Sequence, residues 1–215
     1  VKQELLEEDL FVKIDYLHDL AQIDNYDLSH PDHQLIHHFI HKKLPRYESQ
    51  EAVSQLTRTI LENFYSPAEL ANPLLMPILR AAMPMWLEAN PYFNYPESIF
   101  MHARKIKGLT TVTTYPTLTQ NLNGNDIILL DTVAATGDTL AHVVQDLIKL
   151  YSNNIASIEI ISCFASPQAV DKIEKLSIIK KFTAGFLMRG VDAEGYLIPK
   201  LGGDLGDILF GNSYY

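Results

Sequence analysis

A single cysteine in 215 residues, Cys163, excludes a disulfide within the chain and fits a reducing, cytoplasmic setting. No apolar run approaches the ~20 residues that a membrane-spanning helix needs, so no membrane partner is expected. Basic residues are outnumbered, 17 Lys and Arg against 26 Asp and Glu, and the net charge of −9 argues against nucleic acid held through its phosphates. Repeats, low-complexity tracts and linker-like stretches are also missing, which leaves one domain with an appendage as the expectation. The first residues, VKQELLEEDL, lack the basic start and apolar core of a signal peptide.

What is present is a hydrophobic share of 47%, enough for a sizeable core, in two successive patterns. Leu5, Leu6, Leu10, Ile14 and Leu17 recur at helical spacing and predict a helical arm over residues 1 to about 25. Helices are predicted from Pro31 to Leu44, where Pro45 ends the run, and from about Ser49 to Phe64. From Leu74 short apolar runs alternate with helical patterns. LLMPIL (74–79), SIFMHA (98–103), TTVTTY (110–115), DIILLD (126–131), SIEIISCFA (157–165) and IIKKFTAG (178–185) read as strands. Thr139 to Tyr151 carries one apolar stripe, and Ser166 with Pro167 marks another helix start. Strands alternating with helices imply an α/β fold, a mostly parallel sheet flanked by helices, with ligands beyond the carboxyl ends of the strands.

LLDTVAATGDT (129–139) is the most informative stretch. A buried strand ends at Asp131, and small residues then turn into a helix. Such residues let backbone N–H groups approach an anion, the helix N-terminus favours negative charge, and Thr136 and Thr139 add hydroxyl donors. Gly137 supplies a backbone angle that other residues avoid. Two readings stand: a tight turn with Asp131 as a cap, or a phosphate cradle with an acid beside it for a hydroxylated or metal-bearing ligand. No glycine–lysine pair precedes the Thr, so this is not a Walker loop, and it is not a Rossmann fingerprint. His33, His37 and His41 share a helical face, where a solvated polar surface is expected rather than a metal site. Trp86, Tyr92 and Tyr95 read as core or interface, and Cys163 as buried filler.

This stretch resembles the phosphoribosyl-pyrophosphate (PRPP) motif of type I phosphoribosyltransferases, in the version found in uracil phosphoribosyltransferases. Three further segments resemble that family in its order: SHPDHQLIHHFIHKKL (29–44), PILRAAMPM (77–85) and the specific C-terminal signature GYLIPKLGGDLGDILFG (195–211). The resemblance covers residues from about 28 onward and divides the chain into an N-terminal helical arm, 1–27, and a phosphoribosyltransferase domain, 28–215. It implies transfer of phosphoribose from PRPP to uracil, giving UMP and pyrophosphate, with magnesium carried mainly by substrate oxygens and no dedicated metal site. PRPP would meet Arg80, Arg104, Asp131 and the run Thr132, Val133, Ala134, Ala135, Thr136, Gly137, Asp138 and Thr139, together with Asp204. Ala135 to Thr139 would cradle the 5′-phosphate, and Asp131 would take the ribose hydroxyls, directly or through a metal. Arg80 would meet the pyrophosphate, with Arg104 as a second phosphate contact in competition with Lys105. The base would sit against Tyr196, Leu197, Gly203, Asp204 and Leu205, Tyr196 packing over it or filling core. Catalysis would rest on Asp131, Arg80 and Asp204. A homo-oligomer, dimer or tetramer, is expected from the apolar arm.

The chain departs from the family pattern at several points. Ala81-Ala82-Met83-Pro84 stands where the family has Ala-Gly-Leu-Gly. Asp138 replaces a small residue, with its side chain expected in water. Lys200 replaces a glycine, and Gly202-Gly203 is one residue too many. Two alternatives therefore accompany uracil transfer: the same chemistry on another heterocyclic base, or a non-catalytic regulator that binds PRPP or a nucleotide.

Overall fold

The computed structural model describes residues 12–20, 31–41, 44–68, 70, 72–106, 109–115, 125–151 and 154–211. Within them run β1 (Lys13–Asp19), α1 (Pro31–His41), α2 (Arg46–Phe64), β2 (Leu74–Leu79), α3 (Met83–Tyr92), β3 (Phe100–Ile106) and β4 (Leu109–Tyr115). They continue with β5 (Asn125–Ala134), α4 (Asp138–Tyr151), β6 (Ile155–Ala165), α5 (Pro167–Ile173) and β7 (Ile179–Leu187). The hairpin β8 (Gly190–Val191) with β9 (Leu197–Ile198) and the short α6 (Leu205–Phe210) complete the order. The main sheet has seven strands in the order β1-β7-β6-β5-β2-β3-β4. Every pair in it is parallel except β3 with β4.

The strands are apolar on both faces because helices cover both. Ile127 and Leu129 of β5 join Ile158 and Ile160 of β6 beneath the stripe Leu140, Val143, Val144 and Leu147 of α4. The alternate residues Ile128 and Leu130 share the opposite core with Leu56 and Ile60 of α2, Phe164 and Phe186. Pro77, which cannot donate a hydrogen bond, sits where the pairing of β2 passes from β5 to β3. Ser166 caps α5 as its sequence suggests, its hydroxyl accepting from the Ala169 N–H at 3.0 Å.

The helical reading of the arm is corrected over 13–19, which form β1 along the edge of β7, from Lys13 opposite Lys181 to Asp19 opposite Leu187. In so short a window, apolar residues fit both a helix and a strand, and the unpaired edge of β7 decides between them. Residues 1–11 and 21–30 of the arm lie outside the described residues. β5 also continues past Asp131, since Val133 and Ala134 still pair with Phe164 and Ala165. α3 and α6 were not anticipated. α3 is apolar around most of its circumference and carries prolines at its second residue and inside it, so it shows no helical stripe.

Candidate functional site

A cavity of about 1430 Å³ opens where β2 and β5 end, beside His102 and Ala103 of β3 and against the segment that runs from Gly195 to Asp207. The two-residue period of β5 decides what reaches it. Asp131 and Val133, followed by Ala135 in the loop, line the cavity, as does Thr139 in the first turn of α4. Thr132 and Ala134 point the other way: both are buried, and the Thr132 hydroxyl donates to the Met85 sulfur at 3.6 Å. Burial pushes the Asp131 carboxyl up to about 7 from its ordinary 3.8, against a backbone hydrogen bond from Val133 that lowers it. Asp131 is half-buried and faces the cavity, so it is a candidate functional acid on geometry as well as on its shifted pKa.

The loop before α4 is braced from behind. The Ser166 hydroxyl donates to the Ala135 carbonyl while it caps α5. Gly137 adopts φ +72°, and a Cβ there would come within 3.0 Å of the Ala169 Cα, so both angle and space require glycine. Asp138 does not point only into water. One of its oxygens accepts from the Thr136 hydroxyl at 2.9 Å and the other meets Lys172 Nζ at 2.5 Å. That contact aims the carboxylate at α5 and engages Thr136 within the loop.

Arg80 follows β2 across a cis peptide bond from Leu79. Its Nη1 donates to the Gly211 carbonyl and its Nη2 to Asp207 Oδ1, each at 2.8 Å. Asp204 lines the cavity and caps α6, its Oδ1 accepting from the Asp207 N–H at 3.1 Å. Gly206 is constrained by Asp204, since a Cβ there would lie 3.0 Å from Asp204 Oδ1. The glycine pair before Asp204 also has a local cause. The Gly202 N–H donates to the Phe39 carbonyl at 2.9 Å, and Gly203 takes φ +141°.

The hood over the cavity is the turn between β8 and β9. Asp192 Oδ1 accepts from the N–H groups of Glu194 and Tyr196 at 2.9 and 3.0 Å. Lys200 Nζ pairs with Asp192 at 2.8 Å and lies 4.9 Å from the centroid of the Tyr196 ring. The hydrogen bond from Lys200, then the one from Tyr196, hold the Asp192 carboxyl below its usual range. Tyr196 is 55% exposed, so it lines the cavity rather than filling core, whereas Leu197 is buried.

Arg80, Asp131, Val133, Ala135, Thr139, Tyr196, Leu197, Gly203, Asp204 and Leu205 therefore share one cavity. Arg104 lies in β3 with its backbone opposite Thr111, and its side chain is outside the described residues. The cavity also includes His102 and Asp207, which the sequence reading did not single out. The spacing of Asp204 and Asp207 around Gly206 is the signal that could have drawn attention to Asp207. Hard carboxylate oxygens such as those of Asp204 suit magnesium, but among the described residues no group of three or more His, Cys, Asp or Glu could hold a metal by itself. Of the three histidines at helical spacing, His33 is buried beside His18 with ring centroids 4.9 Å apart, so the face is not uniformly solvated.

The family model of uracil phosphoribosyltransferase matches residues 23–212. The chain is 30% identical to the uracil phosphoribosyltransferase of Paenarthrobacter aurescens over 164 residues, 75% of this chain and 74% of that protein. It is 32% identical to the same enzyme from Kocuria rhizophila over 143 residues, 65% of each chain, so the match spans just under two thirds of that relative. Among solved structures, the AQ2163 protein from Aquifex aeolicus shares the fold with a TM-score of 0.68 at 20% identity, over 87% of this chain and 98% of that one. No described helix is long and apolar enough to cross a membrane.

Proposed function

The chain belongs to the uracil phosphoribosyltransferase family, and from that premise we propose that it transfers the phosphoribosyl group of PRPP to uracil, releasing pyrophosphate and UMP. The observation that carries the reading is one cavity lined by Arg80, Asp131, Thr139 and the segment from Tyr196 to Leu205. In the reaction the bond from C1 of the ribose to pyrophosphate breaks and a bond to the base nitrogen forms. Positive charge grows on the sugar and negative charge on the leaving group, so catalysis consists of holding both partners in line and stabilising the pyrophosphate.

The loop from Ala135 to Thr139 holds the 5′-phosphate through backbone N–H groups, and Thr139 is the hydroxyl on the cavity side. Asp131 accepts hydrogen bonds from the ribose hydroxyls. Burial raises its pKa in the free protein, and hydroxyl donors from a bound sugar would favour the ionised carboxylate and oppose that shift. Arg80 meets the pyrophosphate. The backbone around Leu197 and Gly203 reads the edge of the base, with Tyr196 over it. Magnesium, when bound with PRPP, neutralises diphosphate charge, and Asp204 is the carboxylate suited to share it. The reading includes a cytoplasmic enzyme that associates with its own copies, supported by the exposed Leu87 and Tyr95 on and after α3; light scattering tests that association.

Lys200 favours a second reading. It brings a cation, paired behind it with Asp192 and Glu194, to the cavity wall beside Tyr196, where the family has a glycine. A base other than uracil would answer to that change. Pyrophosphate release from PRPP and magnesium, measured with uracil and a panel of related bases, separates the readings. Release with uracil supports the first, and release only with another base supports the second. PRPP binding without release from any base would count against both and favour a regulator.

A further inference from the structure

We propose that Asp207 is a positioning residue of the transfer site, one that holds Arg80 so that the free edge of its guanidinium faces the leaving pyrophosphate. The inference rests on the reading of the cavity given above. Asp207 accepts from Nη2 and the Gly211 carbonyl accepts from Nη1, each at 2.8 Å. Two bonds on different nitrogens fix both the plane and the rotation of a guanidinium, and five N–H donors are available in all. The Arg80 side chain is 36% exposed and lines the cavity, so the donors left over are open to an anion there.

The platform that carries Asp207 is itself fixed. Asp204 caps the start of α6, and Gln50 Nε2 donates to the Leu209 carbonyl at 2.7 Å. An arginine held in this way loses little further freedom on meeting its ligand, the condition that favours tight and correctly aimed binding.

The sign of one effect separates positioning from mere charge balance. If Asp207 only neutralised Arg80, removing its charge would strengthen the hold on an anion. If it positions Arg80, the same change weakens that hold although the site has become more positive. The experiment is calorimetric titration of inorganic pyrophosphate with magnesium into the whole chain and into Asp207→Asn and Asp207→Glu. Steady-state kinetics and thermal unfolding accompany it.

The expected result is pyrophosphate binding at least tenfold weaker in Asp207→Asn. The KM for PRPP should rise by a similar factor, the KM for the base should stay within twofold, and Asp207→Glu should recover part of the loss. Unchanged or tighter pyrophosphate binding in Asp207→Asn overturns the proposal. So does a parallel rise of both KM values with a lowered unfolding midpoint, which is the mark of a structural role. If the parent chain binds pyrophosphate yet transfers to no base, the functional reading fails while the comparison of variants still decides the role of Asp207. If the parent binds no pyrophosphate, both fall.

Discussion

At the scale of single residues, Asp131 is held at a cost to the fold. Its folded pKa, about 7, lies above its ordinary value of 3.8 because burial disfavours the charged form. Folding therefore takes up a proton between these values, so this contribution to stability is present at low pH and is lost as pH rises through about 7. Asp131→Asn should be more stable than the parent at pH 8 by on the order of 2–4 kcal/mol, with the difference vanishing near pH 4. Urea denaturation at the two pH values checks this, and equal midpoints at pH 8 would refute it. Asp138 makes the opposite kind of residue-scale case. Its ion pair with Lys172 is well exposed, 51% and 42% by side chain, and such a pair contributes about 1 kcal/mol at most. Asp138→Asn should hardly move the unfolding midpoint, but it removes a negative charge from the loop read as the phosphate cradle. The KM for PRPP should fall severalfold, and a rise would speak against that loop as the 5′-phosphate site.

At the scale of elements, the hydroxyl of Ser166 joins two parts of the site's support. It caps α5 and donates to the carbonyl of Ala135 in the loop before α4. Ser166→Ala should cost about 1–2 kcal/mol, since a half-buried carbonyl and a helix N-terminus lose their partner together. Because the loop loses its brace as well, the KM for PRPP should rise more than the KM for the base. Chemical denaturation and steady-state kinetics together test this, and a stability loss with unchanged kinetics would show that the brace is dispensable. The serine was legible in the sequence as a cap because Ser-Pro at a strand end is a local signal. Its second bond, to a residue 31 positions earlier, was not, since nothing local encodes it. The same division runs through the fold. β5 and β6 were legible as unbroken apolar runs and α4 as one long apolar stripe, although β5 continues past Asp131. β1 was misread because its partner β7 lies far along the chain. α3 was passed over because it is apolar on most sides.

At the scale of the whole molecule, the cavity was legible where motifs lie at strand ends, as at Arg80 and Asp131. It was opaque where two distant segments meet, as in the pairing of Arg80 with Asp207. β1 raises the matching question for the fold, because it lies before the region covered by the family model and yet completes the sheet. Leu20, just after it, is fully buried. Asp15 faces Lys181 at 3.6 Å, and the Lys181 ammonium also donates to the Phe64 carbonyl and lies 4.0 Å from the centroid of the Tyr65 ring. Burial lowers the pKa of Lys181, with Glu159 and then Asp15 opposing that shift. Removing residues 1–20 would take away one of these acids, uncover the apolar surface around Leu20 and leave the edge of β7 unpaired. The truncated chain should lose about 3 kcal/mol or more of stability and should aggregate at concentrations where the parent does not. Lys13→Ala, at a side chain 67% exposed, should change stability by less than about 0.5 kcal/mol. Urea denaturation and light scattering read both variants. If the truncated chain kept the parent's midpoint, β1 would be an ornament on the sheet. A large loss confined to the truncation would make it part of the fold's foundation, although it precedes the region the family model covers.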